Sequence, residues 1–332
     1  MQGVGIFNEE SEKAVLGSIL TDEKCLDVVK DYIVEKDAFY LENHQRIWKA
    51  MLDLKSENIP IDVVNISTKV KGITYYITGL VSMTKDSLFS ERSLTTTGFA
   101  PIDHIISGMT KGEITIFAGR PGNAKTTTVA NIARNLVLSG KKVVMFNREM
   151  PNTEMMKKFI AMESDGITYH MLRHNAVTSK SEIEKSLNTI KEKYTDKLFM
   201  FDNISNLEAT FREIRRIKPD VVIDDHIGLI EYPSNDMRDL RLKIGDTSRR
   251  YKWLCKTEKI SVILVSQLNR NIEYRTERIP KLSDLAESGN LEQDAEIVAF
   301  THYPWTVNFE NAKNGKYGLD IVVAKNRYGS TG

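Results

Sequence analysis

The sequence predicts an α/β protein with a mainly parallel, twisted sheet, preceded by a small all-helical N-terminal domain. After about residue 100, short apolar and β-branched runs recur, and helical stretches such as Thr126–Leu138 and Thr247–Lys256 separate several of them. Continuous apolar strands between helices are typical of a sheet that is buried on both faces. The first 83 residues instead carry apolar side chains at helical spacing.

These patterns divide the chain into three segments. Residues 1–83 are expected to form a helical interaction or packing domain, in which Asp62 is a candidate helix N-cap. Residues 84–99 are polar and rich in threonine, which is typical of a linker. Residues 100–332 contain the predicted sheet and all the residues that suggest chemistry.

Composition narrows the function classes. The 332 residues include 46 basic and 45 acidic side chains, so the net charge of +1 excludes a polycation that coats nucleic acid. The two cysteines, Cys25 and Cys255, lie far apart and form no C-x-x-C pair, which fits a reducing cytoplasm. No N-terminal signal peptide is recognisable, and no apolar run approaches the ~20 residues of a membrane span. We therefore expect a cytoplasmic protein without a membrane partner.

Seven apolar runs are the candidate strands of the sheet. In chain order they are EITIFAG, KKVVMFNRE, KLFMFDN, DVVIDD, SVILVSQ, AEIVAFT and LDIVVAK. Ligands of parallel sheets bind at the edge where the strands end. The polar residues that follow each run are therefore the candidates for a functional site.

A candidate phosphate-binding loop follows the first run. The stretch GRPGNAKT matches the pattern G-x-x-x-x-G-K-[ST] except that Ala124 replaces the second glycine. A strand before the loop and a helix after it are the context that such a loop requires. We expect Ala124 to be tolerated, because the backbone φ at this helix entry can be negative. The predicted nucleotide-binding residues are Gly119, Arg120, Pro121, Gly122, Asn123, Ala124, Lys125, Thr126 and Thr127.

Within this loop, Lys125 would reach the β- and γ-phosphates of ATP, and the Thr126 hydroxyl would bind Mg²⁺. Two other strand ends carry acids. Glu149 could polarise an attacking water, although a single acid after a strand is more often solvated. Asp225 is the preferred candidate for holding Mg²⁺, whereas Asp224 should point to the other side of the sheet; the sequence does not resolve this pair.

Polar residues also end the later runs. Gln267 follows SVILVS, where a neutral amide can respond to the γ-phosphate. Lys325 and Arg327 lie two residues apart at the end of the last run and should share one face of the strand. Two cations in that arrangement could stabilise phosphate charge, and the alternative is a solvated strand edge.

Several stretches together resemble one known family. VSQLNRNIEYRTERIPKLSDLAESGNLEQDAEIVAF, MFNREMP, DHIGLI and VVAKNRYGSTG are similar to segments of the DnaB-type hexameric replicative helicases, which have a RecA-like motor. EKAVLGSILTD and the stretch from FYLENHQ to DVVNI resemble that family's helical N-terminal domain. The resemblance covers nearly the whole chain and implies an ATP-dependent DNA helicase.

The resemblance also implies roles for individual residues. Glu149 would activate water, Gln267 would sense the γ-phosphate, and Lys325 and Arg327 would act on the nucleotide of a neighbouring subunit in a homohexamer. Glu287, Ser288 and Gly289 correspond to the contact with single-stranded DNA, where backbone N–H groups can hold phosphates. The implied cofactors are ATP and Mg²⁺, and a primase and a helicase loader are candidate partners.

The chain also departs from the family pattern. Ala124 replaces the loop glycine, and Ala286 stands where many members have an arginine that faces DNA. The N-terminal region is short for a family member, and the chain ends just after the predicted arginine finger. This compact form suggests a phage-type or mobile-element enzyme, or a truncated chain.

Two other functions stay open at the sequence level. A RecA-type recombinase shares the core and the strand-end chemistry, but it binds DNA as an open filament. A catalytically weak paralogue could load or inhibit a true helicase, and Ala124, Ala286 and the short N-terminal region favour that reading. The joint presence of Glu149, Asp225, Gln267 and Arg327 favours an active enzyme.

Overall fold

The structure is a computed structural model that describes residues 9–33, 39–70, 94–177, 179–233, 236, 238–275, 278–285, 289–306 and 315–332. The chain separates into two compact units, Met1–Arg92 and Ser93–Gly332. Each unit has its own hydrophobic core. No helix in the described part of the chain is long and apolar enough to cross a membrane.

The first unit is helical. Its helices are α1 (Glu9–Thr21), α2 (Cys25–Lys30), α3 (Glu42–Ser56) and α4 (Val63–Lys69). Helix α3 places Ile47, Trp48 and Met51 in the core, as the helical spacing of these residues predicts. Asp62 caps α4, because its side chain accepts a hydrogen bond from the backbone N–H of Asn65 at 2.7 Å.

The second unit contains one seven-stranded sheet. Its strands are β1 (Ile114–Gly119), β2 (Val143–Asn147), β3 (Leu198–Phe201), β4 (Val221–Asp225), β5 (Ser261–Gln267), β6 (Ile297–His302) and β7 (Asp320–Asn326). They lie in the order β3-β2-β4-β5-β1-β6-β7. All neighbouring pairs are parallel except β6 and β7. The predicted fold class is therefore confirmed.

Helices cover both faces of this sheet. They are α5 (Ala100–Ile106), α6 (Lys125–Leu138), α7 (Asn152–Met162), α8 (Tyr169–Arg173), α9 (Lys180–Tyr194), α10 (Leu207–Ile217), α11 (Leu240–Glu258) and α12 (Gly289–Asp294). Residues of α5, α6, α7 and α9 pack into one core layer, and residues of α10 and α11 pack into the other. The predicted helix Thr247–Lys256 is the middle of the longer α11.

Residues 94–99, at the end of the predicted linker, are hydrogen-bonded into the second unit. The backbone groups of Thr95 and Met109 exchange two hydrogen bonds of 2.8 Å each. Asp103 on α5 accepts from the backbone N–H of Thr97 at 2.7 Å. The rest of the predicted linker, residues 84–93, lies outside the described residues.

The strand register brings four candidate strand ends side by side. Asn147 of β2 pairs with Asp225 of β4, and Gly119 of β1 pairs with Gln267 of β5. Because β4 and β5 are also neighbours, β2, β4, β5 and β1 end next to one another at the carboxyl edge. This edge is where open α/β sheets bind their ligands.

Candidate functional site

The loop between β1 and α6 begins at a glycine that the packing requires. A Cβ atom at Gly119 would lie 2.3 Å from Thr301 Oγ1 and 2.8 Å from the Thr301 carbonyl oxygen. Any side chain at this position would therefore displace β6. Gly122 has φ of +81°, a left-handed conformation that favours glycine, and it has open space around it.

Ala124 is the N-cap of α6 and has φ of +58°. The expectation of a negative φ at this position was wrong. The left-handed conformation places Cβ near the following carbonyl oxygen, which costs an L-residue about 1–2 kcal/mol. The pattern glycine is thus replaced where its conformational freedom is used, and the loop keeps its shape at an energetic cost.

Lys125 is buried at the start of α6, with 7% of its surface exposed. Its Nζ donates a hydrogen bond to the Arg120 carbonyl oxygen at 3.2 Å, inside the loop. Burial lowers the pKa of Lys125, while the charges of Glu149 and Asp225 oppose that shift. The structure therefore brings this lysine together with the acids at the ends of β2 and β4.

Asp225 is the most strongly perturbed acid of the site. Burial raises its pKa to about 6, and the Glu149 charge adds to the shift while a hydrogen bond from Thr126 opposes it. Its Oδ1 atom is buried and has no hydrogen-bond partner among the described residues. A buried carboxylate oxygen without a partner, beside a threonine hydroxyl, fits the oxygen ligands that Mg²⁺ prefers.

Glu149 lies just beyond β2 and is exposed. The residue before it ties the ends of β2 and β4 together, since the backbone N–H of Arg148 donates to the Asp225 carbonyl oxygen at 2.7 Å. The electrostatic influence of Glu149 on Lys125, Asp225 and His226 places its carboxylate at the same edge. An exposed carboxylate in this place is accessible to solvent water.

Gln267 contacts a histidine that sequence reasoning missed. The Gln267 amide lies 3.3 Å from His226 Nε2, and His226 Nδ1 accepts a hydrogen bond from the Gly228 N–H at 3.2 Å. Burial lowers the pKa of His226, so the ring is neutral at pH 7 and carries its proton on Nε2. The atom placed against this N–H is Gln267 Nε2; because the two ends of a side-chain amide are assigned from the hydrogen-bond network, we assign the reversed orientation, in which Oε1 accepts from His226 and the NH₂ group is left to donate elsewhere.

A lysine on α7 is a second functional candidate that sequence reasoning missed. Lys158 Nζ donates to Thr127 Oγ1 at 3.0 Å and lies 4.5 Å from the centre of the Tyr169 ring. Burial lowers the pKa of Lys158, and the Asp225 charge opposes the shift. In the sequence, only its position in the helix that follows MFNREMP connects Lys158 with the site.

Arg120 faces away from the centre of the loop. Its guanidinium pairs with Glu273 at 2.5 Å, and Nη1 donates to the Leu268 carbonyl oxygen at 2.8 Å. Leu268 directly follows Gln267, so this contact ties the phosphate loop to the segment after β5. Arg120 therefore contributes only its backbone to the phosphate loop, while its side chain holds the segment after β5 in place.

Lys325 and Arg327 lie together at the other end of the sheet. Lys325 Nζ donates to the Ala295 carbonyl oxygen at 2.8 Å and also to that of Glu292. Arg327 pairs with the buried Glu296 at 3.2 Å, and half of its side chain remains exposed. Both cations are thus held by α12 and by the residues that connect it to β6.

The predicted DNA contact is described only in part. Glu287 and Ser288 lie outside the described residues, as does Ala286. Gly289 is exposed and begins α12, and a Cβ atom there would meet nothing within 4 Å.

The fold and the site together define a RecA-like ATPase motor with a phosphate-binding loop. Residues 95–332 match the family model of the DnaB-like helicase C terminal domain, and residues 6–87 match that of the DnaB-like helicase N terminal domain. The chain therefore belongs to the DnaB-like helicases. Its function is that of a replicative, ATP-dependent DNA helicase.

Individual relatives agree with this assignment. The replicative DNA helicase DnaB of Geobacillus stearothermophilus is 23% identical over 97% of this chain and 90% of its own length. A solved structure of an ATPase domain is 25% identical, with a TM-score of 0.67 over 79% of this chain and 93% of that domain. A DnaB-like replicative helicase, solved in a study of its interactions with primase, has a similar fold: its TM-score is 0.65 at 22% identity, over 98% of this chain and 96% of its own.

Proposed function

We propose that the chain hydrolyses ATP with Mg²⁺ at the carboxyl edge of the sheet and thereby moves along single-stranded DNA as a homohexameric ring that unwinds the duplex. The observation that carries this proposal is the convergence of a buried lysine, two acids and an amide at four adjacent strand ends. These are the groups that phosphoryl transfer to water requires: a cation and a metal ion for the phosphates, and an acceptor for the proton of water.

The phosphate half of this site lies in one chain. Lys125 neutralises the β- and γ-phosphates, and the backbone N–H groups of residues 122–127 surround them. Thr126 and Asp225 hold Mg²⁺, which supplies charge neutralisation to the phosphates when it is bound. Lys158 adds a second cation near the start of α6, where the negative charge of a nucleotide would be highest.

Glu149 accepts the proton of the attacking water in this proposal. Its exposure at the strand end leaves room for that water, and its charge lies close enough to shift the pKa of Asp225. Gln267 contacts the γ-phosphate with its NH₂ group, in the assigned amide orientation in which Oε1 accepts from His226. The state of Gln267 then passes to Leu268 and onward to residues 287–289, which would contact DNA.

Lys325 and Arg327 complete the site of a neighbouring subunit. Within the chain, Lys325 donates to the carbonyl oxygens of Glu292 and Ala295, and Arg327 pairs with Glu296, while half of the Arg327 side chain remains exposed. A guanidinium supplied in trans stabilises the charge of the transition state. Each subunit then gives one half-site and receives another, which requires a closed ring.

The remaining segments support the motor. Residues 1–83 serve as a helical packing and interaction domain, and residues 84–99 link it to the motor of residues 100–332. A primase and a helicase loader are the partners that we propose for this enzyme, in the cytoplasm of the bacterial or phage-infected cell.

The test is ATP hydrolysis by the purified chain with and without single-stranded DNA, together with unwinding of a forked duplex and electron microscopy of the DNA complex. Hydrolysis that DNA stimulates, unwinding and closed six-membered rings are expected. Open filaments with strand exchange would instead support a recombinase. Absence of hydrolysis, with binding to another ring helicase, would support a loader or inhibitor.

A further inference from the structure

A buried ion pair joins the two residues that immediately precede the acids of the proposed site. Arg148 Nε is 2.6 Å from Asp224 Oδ1, and Arg148 Nη2 is 2.8 Å from Asp224 Oδ2. The side chains are 3% and 0% exposed, respectively. Arg148 immediately precedes Glu149, and Asp224 immediately precedes Asp225. The proposed hydrolysis uses neither residue of this pair.

Other buried groups fix the pair in place. Arg148 Nη1 donates to the Ile204 carbonyl oxygen at 2.8 Å, and Nη2 donates to Thr210 Oγ1 at 3.0 Å. The Tyr251 hydroxyl on α11 donates to Asp224. Two strands and two helices therefore hold one planar fork, and rotation of either side chain would break several hydrogen bonds at once.

A contribution to the free energy of folding does not by itself explain why this buried ion pair is present. Removing two charges from water is costly, and replacing both partners of a buried ion pair by apolar residues of similar size is often neutral or stabilising. The geometric specificity of a bidentate fork is what apolar residues cannot reproduce. What the fork fixes here is the relative position of β2 and β4 at the point where both strands end.

That position sets the geometry of the two acids. Successive side chains of a strand point to opposite faces. Asp224 is directed toward α10 and α11, so Asp225, the next residue of β4, is directed toward α6 and Lys125. Glu149 follows Arg148 in the bend after β2, where its charge acts on both Lys125 and Asp225. The backbone bond from the Arg148 N–H to the Asp225 carbonyl oxygen joins the same two strands one step further along.

We propose that Arg148 and Asp224 are positioning residues that fix the Glu149 carboxylate relative to Asp225. The assignment rests on the proposed roles of these two acids. Displacement of a reacting group by about 1 Å can cost about 10²-fold in rate, because the reaction needs a near-attack geometry. The bidentate pair prevents such a displacement because it holds the ends of β2 and β4 together, and neither of its residues needs to contact the nucleotide.

The first experiment uses Arg148→Lys, which keeps the charge and loses the fork. We expect the DNA-stimulated kcat to fall by about 10- to 100-fold, while KM for ATP changes by less than about twofold, since phosphate contacts are untouched. Arg134→Lys is the matched control. Arg134 Nε pairs with the buried Glu163 at 2.5 Å, away from the strand ends, so its loss should lower stability and leave kcat within about twofold.

A second measurement separates positioning from a general structural role. In a Glu149→Gln background, Arg148→Lys should cost less than about threefold further, because a residue that acts through Glu149 has nothing left to position. Independent, multiplicative losses would overturn the proposal. If Arg148→Lys does not fold, Asp224→Asn, which retains the shape of the carboxylate, takes its place in both measurements.

The variant Arg148→Met with Asp224→Leu gives the sharpest outcome. Both buried charges are removed together, but the Tyr251 and Thr210 hydroxyls lose their partners, so thermal stability should stay somewhat below that of the wild type, and kcat should stay low. Full recovery of kcat in this variant would overturn the positioning role. Failure of the wild-type chain to hydrolyse ATP in a DNA-dependent way would instead overturn the proposed function, so the two failures are distinguishable.

Discussion

The two ends of the sheet hold their charged groups in opposite ways. At the carboxyl edge of β2, β4, β5 and β1, Asp225 keeps a buried oxygen without a partner among the described residues, and burial perturbs the pKa values of Lys125 and Asp225. At the end of β7, Lys325 and Arg327 have hydrogen bonds or an ion pair with their own chain. Burial lowers the pKa of Lys325 as well, so the difference between the two regions is the buried oxygen without a partner in the described part of the chain. We call the first region incomplete for that reason, and the second saturated because both of its cations have partners.

Under the proposed function, the first region is the half-site that binds nucleotide and metal ion, and the second is the half-site that acts on the nucleotide of a neighbouring subunit. Burial makes the charged forms of Lys125 and Asp225 costly, and an opposite charge close by lowers that cost. A bound phosphate would do this for the lysine, and a bound metal ion would do it for the aspartate. A saturated cation leaves its partner only for a stronger one, such as the developing charge of a γ-phosphate. The predictions below test this comparison.

The largest effect is expected for the saturated end. Arg327→Ala should lower ATP turnover by roughly 10³-fold or more, because a guanidinium acting on the transition state is lost. ATP binding to an isolated subunit should change little, since the phosphate half lies elsewhere. Steady-state hydrolysis and nucleotide titration measure the two quantities.

Mixing variants tests whether Arg327 acts in trans. Lys125→Ala should abolish hydrolysis by itself, because the cation at the phosphates is removed. A mixture of Arg327→Ala and Lys125→Ala subunits contains one interface with an intact loop and an intact finger, so some ATPase activity should return. Loss of ATP affinity confined to the Arg327→Ala monomer would show that the arginine serves its own site.

Glu149→Gln tests the incomplete end. The amide cannot accept a proton from water, so turnover should fall by at least about 10²-fold. Because Glu149 is exposed and Lys125 is intact, ATP affinity should stay within about threefold of the wild type. Loss of binding in a variant that folds normally would make Glu149 a structural residue.

The buried charge of Asp225 should reduce the stability of the protein without metal and nucleotide. Its folded pKa of about 6 lies above the ordinary 3.8, so stability falls as pH rises through about 6. Asp225→Asn should therefore raise the free energy of unfolding at pH 7 by about 1–3 kcal/mol. Urea unfolding without Mg²⁺ should show that the gain shrinks as pH falls from 7 toward 4.

Asp220 is the control with the opposite sign. Its burial, which raises the pKa, is outweighed by hydrogen bonds from Lys142 and Lys111, and the net pKa is lowered. Asp220→Asn should therefore destabilise the protein at pH 7. A gain for Asp225→Asn that does not depend on pH would contradict the electrostatic explanation.

The smallest effect is expected for Ala124→Gly. Glycine relieves the left-handed strain but loses more entropy on folding, so the net gain in stability should be about 1 kcal/mol or less. Turnover should change by less than about threefold. Ala161→Gly, in the last turns of α7, should instead destabilise by about 1 kcal/mol. A large increase in activity for Ala124→Gly would show that the alanine loop is impaired.

The sequence predicted those features that depend on local pattern. Apolar runs gave the seven strands, and strand-end polarity pointed to Lys125, Glu149, Asp225 and Gln267 as candidates. It could not give the φ of Ala124, because the path of the loop, which begins where Gly119 packs against Thr301, decides the backbone there. It also missed His226, Lys158 and the fork between Arg148 and Asp224, since those contacts join residues from different elements and no spacing rule relates them.

In the proposed ring, the ion pairs of Glu296 would affect the free energy of closing an interface between subunits. The Glu296 carboxylate forms ion pairs with both Arg327 and Lys252, and it accepts a hydrogen bond from the backbone N–H of Ile114. If Arg327 moves to a neighbour's phosphate, one ion pair is exchanged for another, while Lys252 continues to neutralise Glu296. In the proposed ring, the free energy of closing each interface would then be the phosphate contact that is gained minus the ion pair that is lost, so it would be smaller than the phosphate contact alone. An interface of that kind could open and reclose more easily in each cycle of hydrolysis.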